Sequence, residues 1–108
     1  MIRFIETPIF TKRIVELLTE SEYAALQSAL VLRPEIGDLI PGTGGLRKLR
    51  WLQSRRGKGK RGGVRVVYFW YVEGGLIYLL IAYSKDEKDD LSASEKRILR
   101  SLVEQEFK

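Results

Sequence analysis

The stretch Val64-Arg65-Val66-Val67-Tyr68-Phe69-Trp70-Tyr71-Val72-Glu73-Gly74-Gly75-Leu76-Ile77-Tyr78-Leu79-Leu80-Ile81-Ala82-Tyr83 decides the fold. Both halves are rich in β-branched and aromatic side chains, which pack well on a pleated surface. Gly74-Gly75 divides them where a two-residue hairpin turn is expected. Arg65, Glu73 and the glycine pair interrupt the apolar run, so it reads as two antiparallel strands, 64–73 and 76–83, and not as a membrane span. Just upstream, residues 45–54 alternate basic and apolar side chains and read as another strand, joined to the hairpin by a loop over 55–63. Three consecutive strands make a meander.

A sheet this small must cover at least one face with helices to bury its apolar side chains. The flanking sequence supplies three. After a short opening strand at 2–7, Pro8 suits the first position of a helix with Thr7 as N-cap, and Phe10, Ile14, Leu17 and Leu18 share one helical face. Thr19 and Glu22 have capping-box spacing ahead of Tyr23, Leu26 and Leu30, and Arg33-Pro34 ends that helix. A glycine-rich connection over 37–45 leads into the meander. Ser92 and Glu95 form a further capping box before the stripe Ile98, Leu99, Leu102, Val103 and Phe107. The predicted class is α+β: a small antiparallel sheet, mixed at the edge, with helices packed on one side, an open basic face on the other, and the order β-α-α-β-β-β-α. At 108 residues, 1–108 is a single domain.

Composition narrows the chemistry. The chain has no cysteine and no histidine, which excludes disulfides, thiolate nucleophiles, Zn–Cys sites, Ser-His-Asp triads and His-ligated metals. No cofactor or metal is expected. Cysteine-free composition and a start that lacks a signal peptide's apolar stretch fit a cytoplasmic protein.

The net charge of +5 is a local feature. No acidic residue lies between Asp38 and Glu73, yet that interval holds Arg47, Lys48, Arg50, Arg55, Arg56, Lys58, Lys60, Arg61 and Arg65. Elsewhere ten basic residues stand against all fourteen acidic ones, a net of −4. Side chains alternate along a strand, so Leu49 and Trp51 turned to the core send Lys48 and Arg50 outward together. Either that face is merely solvated or it grips a phosphate. Five like charges with four glycines in the loop favour a polyanion partner, through bidentate arginine contacts and close backbone approach. Among the aromatics, Tyr83 is the functional candidate, at the rim of the last strand where a base can stack. The acidic run Asp86-Glu87-Lys88-Asp89-Asp90 reads as a solvated loop ahead of a helix rather than a Mg²⁺ site.

Three strings carry a resemblance: Gly42-Thr43-Gly44-Gly45-Leu46-Arg47-Lys48-Leu49-Arg50, then Gly57-Lys58-Gly59-Lys60-Arg61-Gly62-Gly63-Val64-Arg65-Val66-Val67-Tyr68, and finally Leu80-Ile81-Ala82-Tyr83-Ser84-Lys85-Asp86-Glu87. In this order and spacing they resemble the RelE/HigB superfamily of toxins, the HigB-type branch most of all, across nearly the whole chain. The resemblance implies a microbial-RNase-like fold and a toxin of a type II toxin–antitoxin module. Such a toxin enters the ribosomal A site and cuts mRNA there. It also implies a helix-turn-helix antitoxin of the HigA type as partner, and operator DNA bound only through the toxin–antitoxin complex. Residue by residue, the family's paired basic residues match Lys48 and Arg50, its arginine after the glycine loop matches Arg65, and its cation past the last strand matches Lys85. The family's C-terminal cleavage tyrosine has no counterpart around Leu91; either Tyr83 replaces it or the enzyme does without one.

The mechanism this suggests is metal-independent. The RNA 2′-OH is an internal nucleophile, Arg50 and Arg65 stabilise the phosphorane, Lys48 moves a proton, and Arg47 with Arg55, Arg56, Lys58, Lys60 and Arg61 holds RNA or ribosome. A second reading, from another class, is a basic RNA- or ribosome-binding domain that blocks translation sterically without cutting. A DNA-binding regulator fits less well, since the basic charge lies on strands and a loop and no helix-turn-helix pattern appears.

Overall fold

A computed structural model describes residues 1–52, 63–88 and 90–107. The chain opens with β1 (Arg3–Glu6) and turns directly into α1 (Pro8–Leu17). Thr7 makes the joint: its Oγ1 accepts from Phe10 N–H at 3.0 Å and donates to Leu80 O at 2.7 Å, so one hydroxyl caps the helix and ties it to the sheet. The next helix, α2 (Glu20–Leu32), starts with a reciprocal capping box. Thr19 N–H donates to Glu22 Oε1 at 2.8 Å, and Glu22 N–H donates to Thr19 Oγ1 at 3.1 Å. There follow β2 (Asp38–Leu39), β3 (Leu46–Trp51), β4 (Val64–Tyr71), β5 (Leu76–Ser84) and α3 (Ala93–Phe107). Ser92 and Glu95 cap α3 in the same reciprocal way, at 2.8 and 3.1 Å.

The sheet runs β1-β5-β4-β3-β2, with β1 parallel to β5 at one edge and the remaining pairs antiparallel. The α+β class, the mixed edge and the element order are those expected, with β2 added from within the glycine-rich connection. Tyr68 positions β2. Its hydroxyl donates to Pro34 O at 2.7 Å and accepts from Gly37 N–H at 3.0 Å. A Cβ on Gly37 would lie 2.9 Å from the Tyr68 ring and 3.0 Å from Lys48 O, so only glycine fits there.

The hairpin turn differs from expectation. Tyr71 pairs with Leu76, leaving a four-residue turn over 72–75, closed by Gly75 N–H to Val72 O at 3.1 Å. The two glycines serve different needs. Gly75 has φ +59°, while a Cβ on Gly74 would lie 2.8 Å from the Tyr71 ring packed against it.

Two cores flank the sheet. In the larger, Phe10, Ile14, Leu26 and Leu30 of α1 and α2 meet Leu49, Val66, Tyr68 and Leu79. In the smaller, Leu99 and Val103 of α3 meet Leu46, Val67 and Leu80. Val66 and Val67 are consecutive and so belong to opposite faces. The face covered by α1 and α2 is the expected helical side. The rest of the helical cover is α3, which reaches the alternate side chains, and its Phe107 ring rests 4.7–5.6 Å from those of Phe69, Tyr71 and Tyr78. That contact lies at the Leu46 end of β3, away from Arg50. Ile98 falls off the expected stripe and is 63% exposed.

Candidate functional site

The register of the meander assembles a row of three residues. Arg50 on β3 stands opposite Arg65 on β4, and Arg65 stands opposite Tyr83 on β5. Lys48 lies two residues along β3, opposite Val67. Because Leu49 belongs to the core under α1 and α2, alternation puts Lys48, Arg50 and Arg65 together on the other face. Directly opposed residues have Cβ atoms about 5 Å apart, and like charges at that spacing destabilise a sheet.

Local backbone chemistry frames this corner. Gly63 enters β4 at φ +73°, and a Cβ there would lie 3.3 Å from both Arg65 Nη1 and Trp51 O. Glycine thus lets the guanidinium lie close over the chain. Lys85 N–H donates to Gly63 O at 3.2 Å, which brings the exposed residue Lys85 to the same corner.

The acidic run is not simply solvated; it reaches back to cations. Asp90 Oδ1 accepts from Lys48 Nζ at 2.8 Å, with the Lys48 side chain 15% exposed and that of Asp90 71%. This bond holds the Asp90 carboxyl below the usual carboxylate range. Glu87 accepts from Ser84 N–H at 2.8 Å and pairs with Arg13; the first contact, then the second, lowers its carboxyl too. Lys88 pairs with Glu95 and sits 5.1 Å from the centre of the Tyr83 ring. Among the described residues, no group of three or more acidic side chains is placed to hold a metal ion.

Tyr83 is not at an open rim. It is 4% exposed, packed in the smaller core with Leu91 and beneath Lys88. Its hydroxyl has no hydrogen-bond partner among the described residues. Burial, then the charge of Asp90, pushes the phenol up, against the opposing pull of Arg65 and Arg50. A buried ring cannot stack a base, and a phenol held in its neutral form is a donor, not a base. A cavity of about 400 Å³ opens beside it, lined by Ile9, Arg13, Lys88 and Glu95 among others.

Arg47 lies on the other face. Its Nη1 donates to Glu35 O at 3.1 Å and Gly37 O at 2.8 Å, bracing the connection into β2. Alternation carried this signal, because Arg47 shares its phase with Leu49. Arg55, Arg56, Lys58, Lys60 and Arg61 lie outside the described residues, whose ends at Leu52 and Gly63 fall at the Arg50–Arg65 end of the sheet. The residue that sequence reasoning missed is Asp90, for which nothing local signals a partner 42 positions away.

The architecture is a mixed sheet backed by α1 and α2, with a cationic row on the alternate face. No protein-family model matches the chain. Among solved structures it is similar to a double arginine-to-alanine mutant of the E. coli toxin RelE in the free state. The TM-score is 0.53 and the identity 19%, covering 73% of this chain and 78% of that one. The likeness establishes a RelE-like fold.

Proposed function

We propose that this chain is the toxin of a type II toxin–antitoxin module, a ribosome-dependent endoribonuclease that cuts mRNA in the ribosomal A site and so inhibits translation. The observation that carries the reading is the Arg50–Arg65 pair, with Lys48 beside it on one face of the sheet. A RelE-like fold supports it, since the structural neighbour is itself a toxin.

The chemistry asked of the site is small. The RNA 2′-OH attacks phosphorus and gives up its proton to solvent water, the P–O5′ bond breaks, and a 2′,3′-cyclic phosphate forms. Arg50 and Arg65 neutralise the phosphorane oxygens, a task suited to guanidinium groups that never lose their charge. Lys48, an ammonium in contact with a carboxylate, supplies a proton to the departing 5′-oxygen. No metal takes part. Weak proton-transfer groups fit an enzyme whose substrate is aligned by the ribosome, since orientation alone supplies much of the rate. Lys85, at the same corner, and the basic residues of the 55–61 stretch hold RNA backbone. A HigA-like helix-turn-helix antitoxin neutralises the toxin, operator DNA is met only through that complex, and the protein works in the cytoplasm.

The test is to map mRNA 5′ ends in cells after brief expression. New ends within codons of translated messages, lost in Arg65→Ala, are expected. Growth arrest without new ends means steric blocking in place of cleavage.

A further inference from the structure

The following rests on the reading of Lys48, Arg50 and Arg65 as a phosphate site. In the free protein that site already holds an anion. Asp90 Oδ1 lies 2.8 Å from Lys48 Nζ, the distance at which an ammonium holds a phosphate oxygen, about 2.7–2.9 Å. Asp90 lies in the connection between β5 and α3, which is held by residues upstream of it. Glu87 is fixed by Ser84 N–H and Arg13, and Lys88 is paired with Glu95 at the first turn of α3. The carboxylate they deliver covers Lys48, whose side chain is 15% exposed, yet is itself 71% exposed. A buried ion pair would be a fixed part of the framework, costly to break. A pair with one partner this open to water is held weakly and exchanges.

We infer that Asp90 is a built-in competitor for RNA phosphate on Lys48, so that loose RNA meets a site already neutralised at that cation. A phosphate arriving from solution must displace the carboxylate. A phosphate held in place by a larger assembly does so easily, because its effective concentration is far higher. The pair thus selects for presented substrate over stray RNA by a charge contest at one ammonium.

The experiment titrates the full chain with a labelled RNA oligonucleotide made uncleavable by 2′-deoxy substitution, read by fluorescence anisotropy at low and high salt. Asp90→Asn is expected to bind about two- to five-fold tighter at low salt, the range an exposed ion pair commands, with the gain shrinking as salt rises. Asp86→Asn removes an equal charge from the same connection, at a residue with no ion pair among the described residues, and is expected to change little. In a Lys48→Ala background the gain from Asp90→Asn should vanish. The inference is overturned if Asp90→Asn binds no tighter than the parent, if Asp86→Asn matches its gain, or if the gain persists without Lys48. If neither the parent nor any variant binds the oligonucleotide, the phosphate-site reading itself falls and takes the inference with it. A parent that binds and is weakened by Arg65→Ala, with Asp90→Asn flat, sinks the inference alone.

Discussion

Arg50 and Arg65 face each other in direct register across β3 and β4, two guanidinium-bearing residues at the most closely coupled position a sheet offers. Opposed like charges cost stability, so replacing the exposed Arg50 should relieve the fold while harming the chemistry. Arg50→Ala is expected to melt no lower than the parent. Its single-turnover mRNA cleavage on ribosomes should fall by about 10²–10³-fold, the loss seen when one donor to a developing oxyanion is removed. Arg65→Ala should lose cleavage to a similar extent. A variant that melts lower and still cuts at the parental rate contradicts both halves of the argument.

Gly37 and Tyr68 hold the frame on which the row is built. Gly37→Ala drives a methyl group to 2.9 Å from the Tyr68 ring, with Lys48 O at 3.0 Å as the second wall. Backbone cannot yield as a flexible side chain can, so the expected loss is about 1–3 kcal/mol in urea unfolding. Tyr68→Phe keeps the ring but leaves Gly37 N–H and Pro34 O without the hydroxyl they share. Its expected cost is of similar size, about 1–3 kcal/mol. Both variants should leave the denaturant slope unchanged, since neither alters the surface exposed on unfolding.

Acid should weaken the protein through the connection that follows β5. Glu87, Asp90 and Glu95 all have carboxyls held below their ordinary values, by Ser84 N–H and Arg13, by Lys48 and by Lys88 respectively. A depressed folded-state value means the stabilisation is present above the unfolded pKa and is lost as pH falls through the folded one. The melting temperature should therefore decline below about pH 5, where unfolded carboxylates begin to bind protons. Glu87→Gln should flatten that decline and lower the plateau above it. At the alkaline end the sign reverses. Burial raises the phenols of Tyr68 and Tyr83, so stability is complete below pH 10 and falls above it, a decline visible beside the phenolate absorbance.

Much of this arrangement was legible because it is local. Thr7, Thr19 and Ser92 announce their helices through capping chemistry contained within four residues, and all three caps form. Alternation told Lys48 and Arg50 apart from Leu49, whereas Arg47, expected to hold RNA, shares the phase of Leu49 and braces the backbone of Glu35 and Gly37 instead. Register is different in kind. Nothing in residues 46–51 or 64–71 alone says that Arg50 meets Arg65 rather than Val67, because the pairing depends on side-chain packing against both cores. The burial of Tyr83 and the Lys48–Asp90 contact were hidden for the same reason. Both depend on where α3 and its leading connection settle, and a charge run carries no record of the cation it will meet.

Salt offers the cleanest reading of how many of these cations touch RNA. Each phosphate neutralised on a single strand releases counterions, and the logarithm of affinity falls with the logarithm of salt by about 0.7 per contact. Lys48 and Arg50 share one face, so removing Arg50 should reduce the slope for an uncleavable oligonucleotide by about 0.7. Lys48 should behave otherwise. With Asp90 at 2.8 Å, binding there exchanges one anion for another and releases fewer counterions. Lys48→Ala is therefore expected to reduce the slope by less than Arg50→Ala does. In an Asp90→Asn background the same replacement should recover the full decrement. Equal slopes for the Lys48 and Arg50 variants would mean that the Lys48 ammonium is already open to solvent and that the carboxylate does not screen it.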